Sequence, residues 1–282
     1  MAEKPSFDAE LVGVIDHELT MLKKDMIPVY VKLPEQGGTL LKTDERIVGY
    51  CRQYKNRPKG VGMEAHFEEL RANQGLPAEV LQILTEGRVK ATWLVDSIGG
   101  MAFTAKRLKS FMQDIQKRGG ETHSYAGAKA YSGAALAWQS GEKRSTLNDT
   151  QLMWHTTGRG DLPKNKALAD LWLSFREGAS LPKSEDLKEM EDFFTKAKEP
   201  YRSEIFDILR EDHDDRHEVC LDGTYAAKAG LADKTFGVVA DMKADFAENF
   251  PWILHGNNRV TRFWAKQKAS SEDRFIRRLL RR

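Results

Sequence analysis

Ser132 lies in the run Ala130-Tyr131-Ser132-Gly133-Ala134-Ala135. Small neighbours let a backbone turn sharply, expose a hydroxyl and admit a substrate carbonyl, which is what a serine nucleophile needs. The same serine would also make an ordinary helix N-cap. Gly99-Gly100 follows the apolar run Val89–Val95. A glycine pair there can turn a peptide N–H into a site as an oxyanion donor, or serve as a plain β–α turn. His155 ends the run Leu152-Met153-Trp154 and precedes Thr156-Thr157-Gly158. A histidine at a strand end is well placed for general base work near neutral pH. The chain has 7 histidines, so the residue type alone decides nothing. His213 and His217 lie four apart among acids, a spacing metal sites use. A solvated charged turn explains the same letters, and no metal or organic cofactor is assigned.

The elements that must hold these residues are legible as alternating periods. Val89–Val95 reads as a buried strand and Asp96–Gly100 as a turn. Met101, Ala105, Leu108, Met112 and Ile115 recur at helical spacing until Gly119-Gly120. Thr122–Ala126 reads as a short strand, Gly127–Tyr131 as a turn and Ser132–Gln139 as a small-residue helix. Thr150–Trp154 reads as a third strand, ending at His155. Strand, tight turn, helix is the layout that puts function at the carboxyl ends of strands. Before this region, 8–24 reads as a short helix, Val29–Leu33 as an apolar-alternating piece and Pro34–Gly38 as a turn. After His155, Leu168–Phe175 and Ser184–Leu209 carry helical patterns.

The order of these signals resembles the ClpP/crotonase superfamily, nearest the proteolytic subunit of the Clp protease. Asp96-Ser97-Ile98-Gly99-Gly100 is similar to that family's Asn-Ser-Pro-Gly-Gly, with Ile98 where proline is usual. Ala130–Ala134 resembles its Ala-Ala-Ser-Met-Gly nucleophile turn. Lys143-Arg144, Leu147 and Leu152–His155 fall in the register of its Lys-Arg…Leu…Val-Met-Ile-His strand. Ala226–Asp233 resembles its Glu-Ala-x-x-x-Gly-Leu-x-Asp ending. The resemblance implies an α/β, ClpP/crotonase-like fold of stacked β-β-α units over 46–235. It implies Ser132 as nucleophile, His155 as general base, and the Gly100 and Gly133 N–H groups as the oxyanion hole. Counting back from Gly230 puts Glu218 at the orienting acid, with Asp215 and Asp214 as rivals. The activity implied is serine-type endopeptidase, on a peptide or protein substrate, with an ATPase unfoldase as a candidate partner. Two other readings stand beside it: a crotonase-like acyl-CoA enzyme, and a non-catalytic subunit of a Clp-like assembly.

Composition bounds the rest. In 282 residues, 40% are hydrophobic and 30% charged, enough for a sizeable core. Lys and Arg number 44 against 42 Asp and Glu, a net of +2, so no global field calls for nucleic acid or membrane. Two cysteines, Cys51 and Cys220, exclude a disulfide scaffold. No apolar stretch reaches the roughly 18 residues of a membrane helix. The opening residues lack a secretory pattern, so a cytoplasmic setting is expected. The chain divides into an extension over 1–45, the domain over 46–235 and a basic extension over 236–282. Nine Lys/Arg stand against Glu272 and Asp273 from Arg259 onward. That tail reads as an amphipathic docking helix or a frayed terminus. Trp172, Phe175, Met190, Phe193 and Phe194 put large apolar area on the stretch after His155, which predicts a homo-oligomer formed through 160–210.

Overall fold

A computed structural model describes residues 6–19, 27–33, 49–51, 78–156, 185–211, 217–254 and 258–279. Its strands are β1 (Ala9–Ile15), β2 (Ile27–Lys32), β3 (Gly49–Cys51), β4 (Val89–Ser97), β5 (Glu121–Tyr131), β6 (Lys143–Leu147), β7 (Gln151–Trp154), β8 (Val219–Asp222) and β9 (Lys234–Phe236). Its helices are α1 (Ala78–Glu86), α2 (Ala102–Lys117), α3 (Gly133–Gln139), α4 (Glu185–Phe194), α5 (Tyr201–Glu211), α6 (Gly223–Lys228), α7 (Val239–Asn249) and α8 (Asn258–Leu279). The chain is therefore α/β. The strands form one mixed sheet in the order β3-β2-β1-β4-β5-β6-β9, with β7 pairing β5 and β8.

The centre of the sheet is parallel: β1 on β4, β4 on β5, and β5 on both β6 and β7. Parallel strands need cover on both faces. Leu11, Ile15, Trp93 and Val95 pack with Leu108 and Met112 of α2 and with the alanines of α3 on one face. Val12, Val14, Leu94 and Tyr125 pack with Phe246 of α7 and with Val260, Phe263 and Trp264 of α8 on the other. The basic tail thus carries a docked helix, its buried side chains recurring at helical spacing. Among the described residues, no helix is long and apolar enough to cross a membrane.

Burial on both faces explains where the sequence reading misses. A helix is expected over 8–24, yet 9–15 form β1. Its continuous apolar run has no period of two because neighbouring side chains enter different cores. A turn is expected over 127–131, yet β5 runs unbroken to Tyr131. β5 instead changes partner: His123–Ala126 pair with β6, Lys129–Tyr131 with β7. Thr150 seals the fork, its hydroxyl 2.7 Å from the Gly127 carbonyl while accepting the Leu147 N–H at 2.8 Å. The expected turn at 34–38 and helical pattern at 168–175 lie outside the described residues.

Met190, Phe193 and Phe194, the apolar area expected at a subunit contact, are buried within the chain. Phe193 and Phe194 lie with ring centroids 5.4 and 5.1 Å from Trp154. They therefore offer no patch to a neighbour. Trp172 and Phe175 lie outside the described residues.

Gly13 shows how tightly the central strands are set. It pairs with Trp93, and a Cβ built on it would fall 1.7 Å from that indole. Gly13→Ala is expected to cost about 2 kcal/mol or more through overpacking. In a Trp93→Leu background the same change should cost at least about 1 kcal/mol less. Urea unfolding of the four proteins checks this; equal costs in both backgrounds would contradict the packing described.

Candidate active site

Because β4, β5 and β7 run parallel, their carboxyl ends meet on one edge of the sheet. β4 ends in Ser97-Ile98-Gly99-Gly100, β5 in Tyr131-Ser132 and β7 in Trp154-His155. The sheet topology thus brings Ser132, His155, Gly100 and Gly133 together from distant parts of the sequence.

Ser132 has φ 54 and ψ −123, a conformation that L residues rarely adopt. Its N–H donates to the Met153 carbonyl at 2.7 Å, and its carbonyl accepts from Leu136 N–H at 3.1 Å. The turn is thus fixed by β7 on one side and by α3 on the other. Ser132 occupies the N-cap position of α3, yet its side chain makes no capping hydrogen bond. The simple N-cap reading of this serine therefore does not hold.

Gly99 packs directly on this turn. Its φ is 90, and a Cβ there would lie 2.4 Å from the Tyr131 carbonyl oxygen and 2.8 Å from Ser132 Cβ. Only glycine meets both demands. The Gly99 carbonyl accepts Leu19 N–H at 2.7 Å, which pins the Gly99–Gly100 peptide. In a trans peptide the Gly100 N–H points opposite to that carbonyl, away from Leu19. Gly133 is the first residue of α3, whose N–H has no intrahelical acceptor. Neither the Gly100 nor the Gly133 N–H has a hydrogen-bond acceptor among the described residues.

Ser132 and His155 line one open, shallow cleft, whose wall also includes Leu136 and Gln139 of α3, Trp154 and Met190. His155 Nδ1 lies 2.6 Å from the Thr156 carbonyl oxygen. A carbonyl only accepts, so this bond places a hydrogen on Nδ1, and in the neutral ring the lone pair is then on Nε2. Among the described residues, neither Ser132 Oγ nor the Glu218 carboxylate is hydrogen-bonded to the ring. Glu218 is exposed. The antiparallel register of β7 and β8 ends at Trp154↔Val219, one residue short of His155 and of Glu218. Asp214, Asp215 and His213 lie outside the described residues. His217 Nδ1 is 2.8 Å from the Leu209 carbonyl. Among the described residues, no group of His, Cys, Asp and Glu could hold a metal ion.

Several site residues escaped the sequence reading. Leu136 and Gln139 follow Ser132 at helical spacing on one face of α3, a pattern the sequence does carry. Leu19, Thr156 and Met190 have no such local signal, because only the tertiary fold brings them in.

The same edge is braced from the opposite face. Asp96, 1% exposed, accepts Lys129 N–H at 3.3 Å and Gln267 Nε2–H at 3.0 Å, and pairs with Lys266 at 2.7 Å. Gln267 Oε1 in turn accepts Ala128 N–H at 2.6 Å.

No protein-family model matches the chain, and no curated protein matches it. Among solved structures, the chain is similar to a point mutant of ClpP1 from Listeria monocytogenes. The two share 14% identity with a TM-score of 0.37, over 57% of this chain and 81% of that one.

The strain at Ser132 has a measurable consequence. A non-glycine residue in such a conformation costs about 1–3 kcal/mol. Ser132→Gly should therefore stabilise the fold by about 1 kcal/mol, even after glycine's own entropic cost of about 0.5–1 kcal/mol. Ser132→Ala, which keeps a Cβ, should stay within about 0.5 kcal/mol of the parent. Urea midpoints decide; a Ser132→Gly protein less stable than Ser132→Ala would contradict the strain.

Proposed function

We propose that this chain is a serine-type peptidase of the Clp proteolytic-subunit kind, built on stacked β-β-α units. The observation that carries the reading is the backbone of Ser132, held at positive φ between a strand and a helix, in a cleft it shares with His155. Strain of this kind persists where the surroundings over-determine it, and it is a mark of nucleophile turns. In this reading Ser132 Oγ attacks the peptide carbonyl while His155 Nε2 takes its proton. The Gly100 and Gly133 N–H groups receive the developing oxyanion, each worth about 3 kcal/mol of barrier. The imidazolium then protonates the leaving amine, and water attacks the acyl-enzyme through the same base. The Thr156 carbonyl holds the ring's tautomer, and Glu218 supplies negative charge for the imidazolium. These steps draw on side chains and backbone alone.

A non-catalytic member of a Clp-like assembly is the second reading. It is favoured by Ile98, 41% exposed in the oxyanion turn, and by a ring that Ser132 does not engage.

Fluorophosphonate labelling tests the first against the second. Wild type should take up one label, and Ser132→Ala none. Turnover of a reporter peptide should fall at least about a thousandfold in Ser132→Ala and His155→Ala. Glu218→Gln should lose about tenfold to a hundredfold, and more than Asp215→Asn. Wild-type turnover in Ser132→Ala would overturn the peptidase reading. The reverse ranking of the acids would move that role to Asp215.

The reading includes a homo-oligomer formed through 160–210. Since Met190, Phe193 and Phe194 are used inside the chain, the contact falls to other parts of that stretch. Ile208 of α5 stands 43% exposed there. Sedimentation velocity at micromolar concentration should give a species larger than the 282-residue chain. A monomer that cleaves the reporter would contradict both the assembly and its link to activity.

A further inference from the structure

Gln139 ends α3 with only 8% of its surface exposed, yet it lines the cleft. Its Oε1 accepts the Trp154 indole N–H at 2.8 Å. An indole nitrogen only donates, so the carboxamide cannot be flipped: the oxygen faces Trp154 and the amide nitrogen faces away. That Nε2 has no acceptor among the described residues. With its oxygen fixed, the carboxamide presents its two N–H hydrogens to whatever fills the cleft it lines, water or a ligand.

Ser132, Leu136 and Gln139 lie on one face of α3, spaced by four and three residues. Seven residues of helix set the Gln139 Cα about 10 Å along the axis from that of Ser132. Helical side chains lean toward the N-terminus, so the carboxamide reaches back toward the nucleophile. The opposite wall comes from α4. There Met190 is apolar, and Glu189 carries a carboxylate whose Oε1 is paired with Lys109. Lys106 of α2 lines the same cleft, so the space beside Ser132 offers apolar surface, a fixed N–H donor, a carboxylate acceptor and an ammonium.

We infer that Gln139 is the specificity-determining residue of this cleft, selecting an acyl group whose side chain ends in a neutral carboxamide, as glutamine does. This rests on the peptidase reading of Ser132. The substrate's amide oxygen would accept from Gln139 Nε2–H, and its NH2 would donate to Glu189. An apolar side chain of the same length leaves the Gln139 donor unpaired, and a carboxylate has no hydrogen to give Glu189.

The test uses peptide reporters that differ only in the residue whose carbonyl is cleaved: Gln, Met as its apolar counterpart, and Lys. Wild type should prefer Gln over Met by about tenfold in kcat/KM, the cost of one donor stripped of cleft water and left unpaired. Gln139→Glu keeps an acceptor for Trp154 and so protects the fold, but turns the donor into an acceptor. In that variant the Gln-over-Met preference should fall to about twofold or less, and Lys should gain about tenfold. Gln139→Met, checked for folding by circular dichroism, should lose the preference without gaining Lys. A wild-type preference for Met, or a ratio unchanged in Gln139→Glu, overturns the inference. If Ser132 still takes a fluorophosphonate in those samples, the peptidase reading survives its failure. Absence of both labelling and cleavage in wild type overturns the two together.

Discussion

The junction between β5 and α3 is the constraint on which the site depends. The Ser132 N–H is held by the Met153 carbonyl of β7, and its carbonyl by the first turn of α3. With both peptide neighbours fixed, the backbone at Ser132 cannot relax to negative φ without losing one of these bonds. The side chain is thereby kept off the helix end and projected into the cleft. Gly99, packed against Tyr131 and Ser132, carries the adjoining turn to the same place. One strained residue thus sets the mutual positions of a hydroxyl, two unpaired N–H groups and, through the parallel register of β5 with β7, a histidine.

Strain is retained only where packing on all sides exceeds its cost. Here the support comes from both faces. On the cleft side, Trp154 is clamped by Phe193 and Phe194 and bonded to Gln139, so the residue before His155 has little freedom. Lys109 of α2 pairs with Glu189 of α4, tying the two helices that flank the cleft. On the far face, Asp96 draws Lys266 and Gln267 of α8 onto the ends of β4 and β5. A carboxylate this buried would be costly alone, and the ammonium and two N–H donors offset that cost. The C-terminal helix is accordingly part of what holds the Gly99-Gly100 turn in place.

The sequence carried the local parts of this arrangement well. β4 and α2 fall where the periods put them, and His155 directly follows β7 as its apolar run implies. What it carried poorly was anything set by two-sided burial or distant contact. β1 was concealed because Leu11 and Val12 serve different cores, which erases the alternation that identifies a strand. The second half of β5 was concealed by its glycine and alanines, which suit a turn until β7 pairs with them. Phe193 and Phe194 looked like a subunit contact because nothing local announced that Trp154 would receive them. Gln139 was visible in the spacing from Ser132, but its meaning needed the Trp154 hydrogen bond, which fixes one end of the carboxamide and leaves the other.

The central claim is that Ser132 Oγ and the Gly100 and Gly133 N–H groups converge on a single reacting centre. A crystal structure of the protein reacted with a small fluorophosphonate measures this directly. The account predicts phosphorus bonded to Ser132 Oγ, with its oxygen about 2.7–3.1 Å from both Gly100 N and Gly133 N. His155 Nε2 should then face the Ser132 oxygen. An adduct on another residue, or a phosphonyl oxygen turned to solvent with neither N–H in reach, would contradict it.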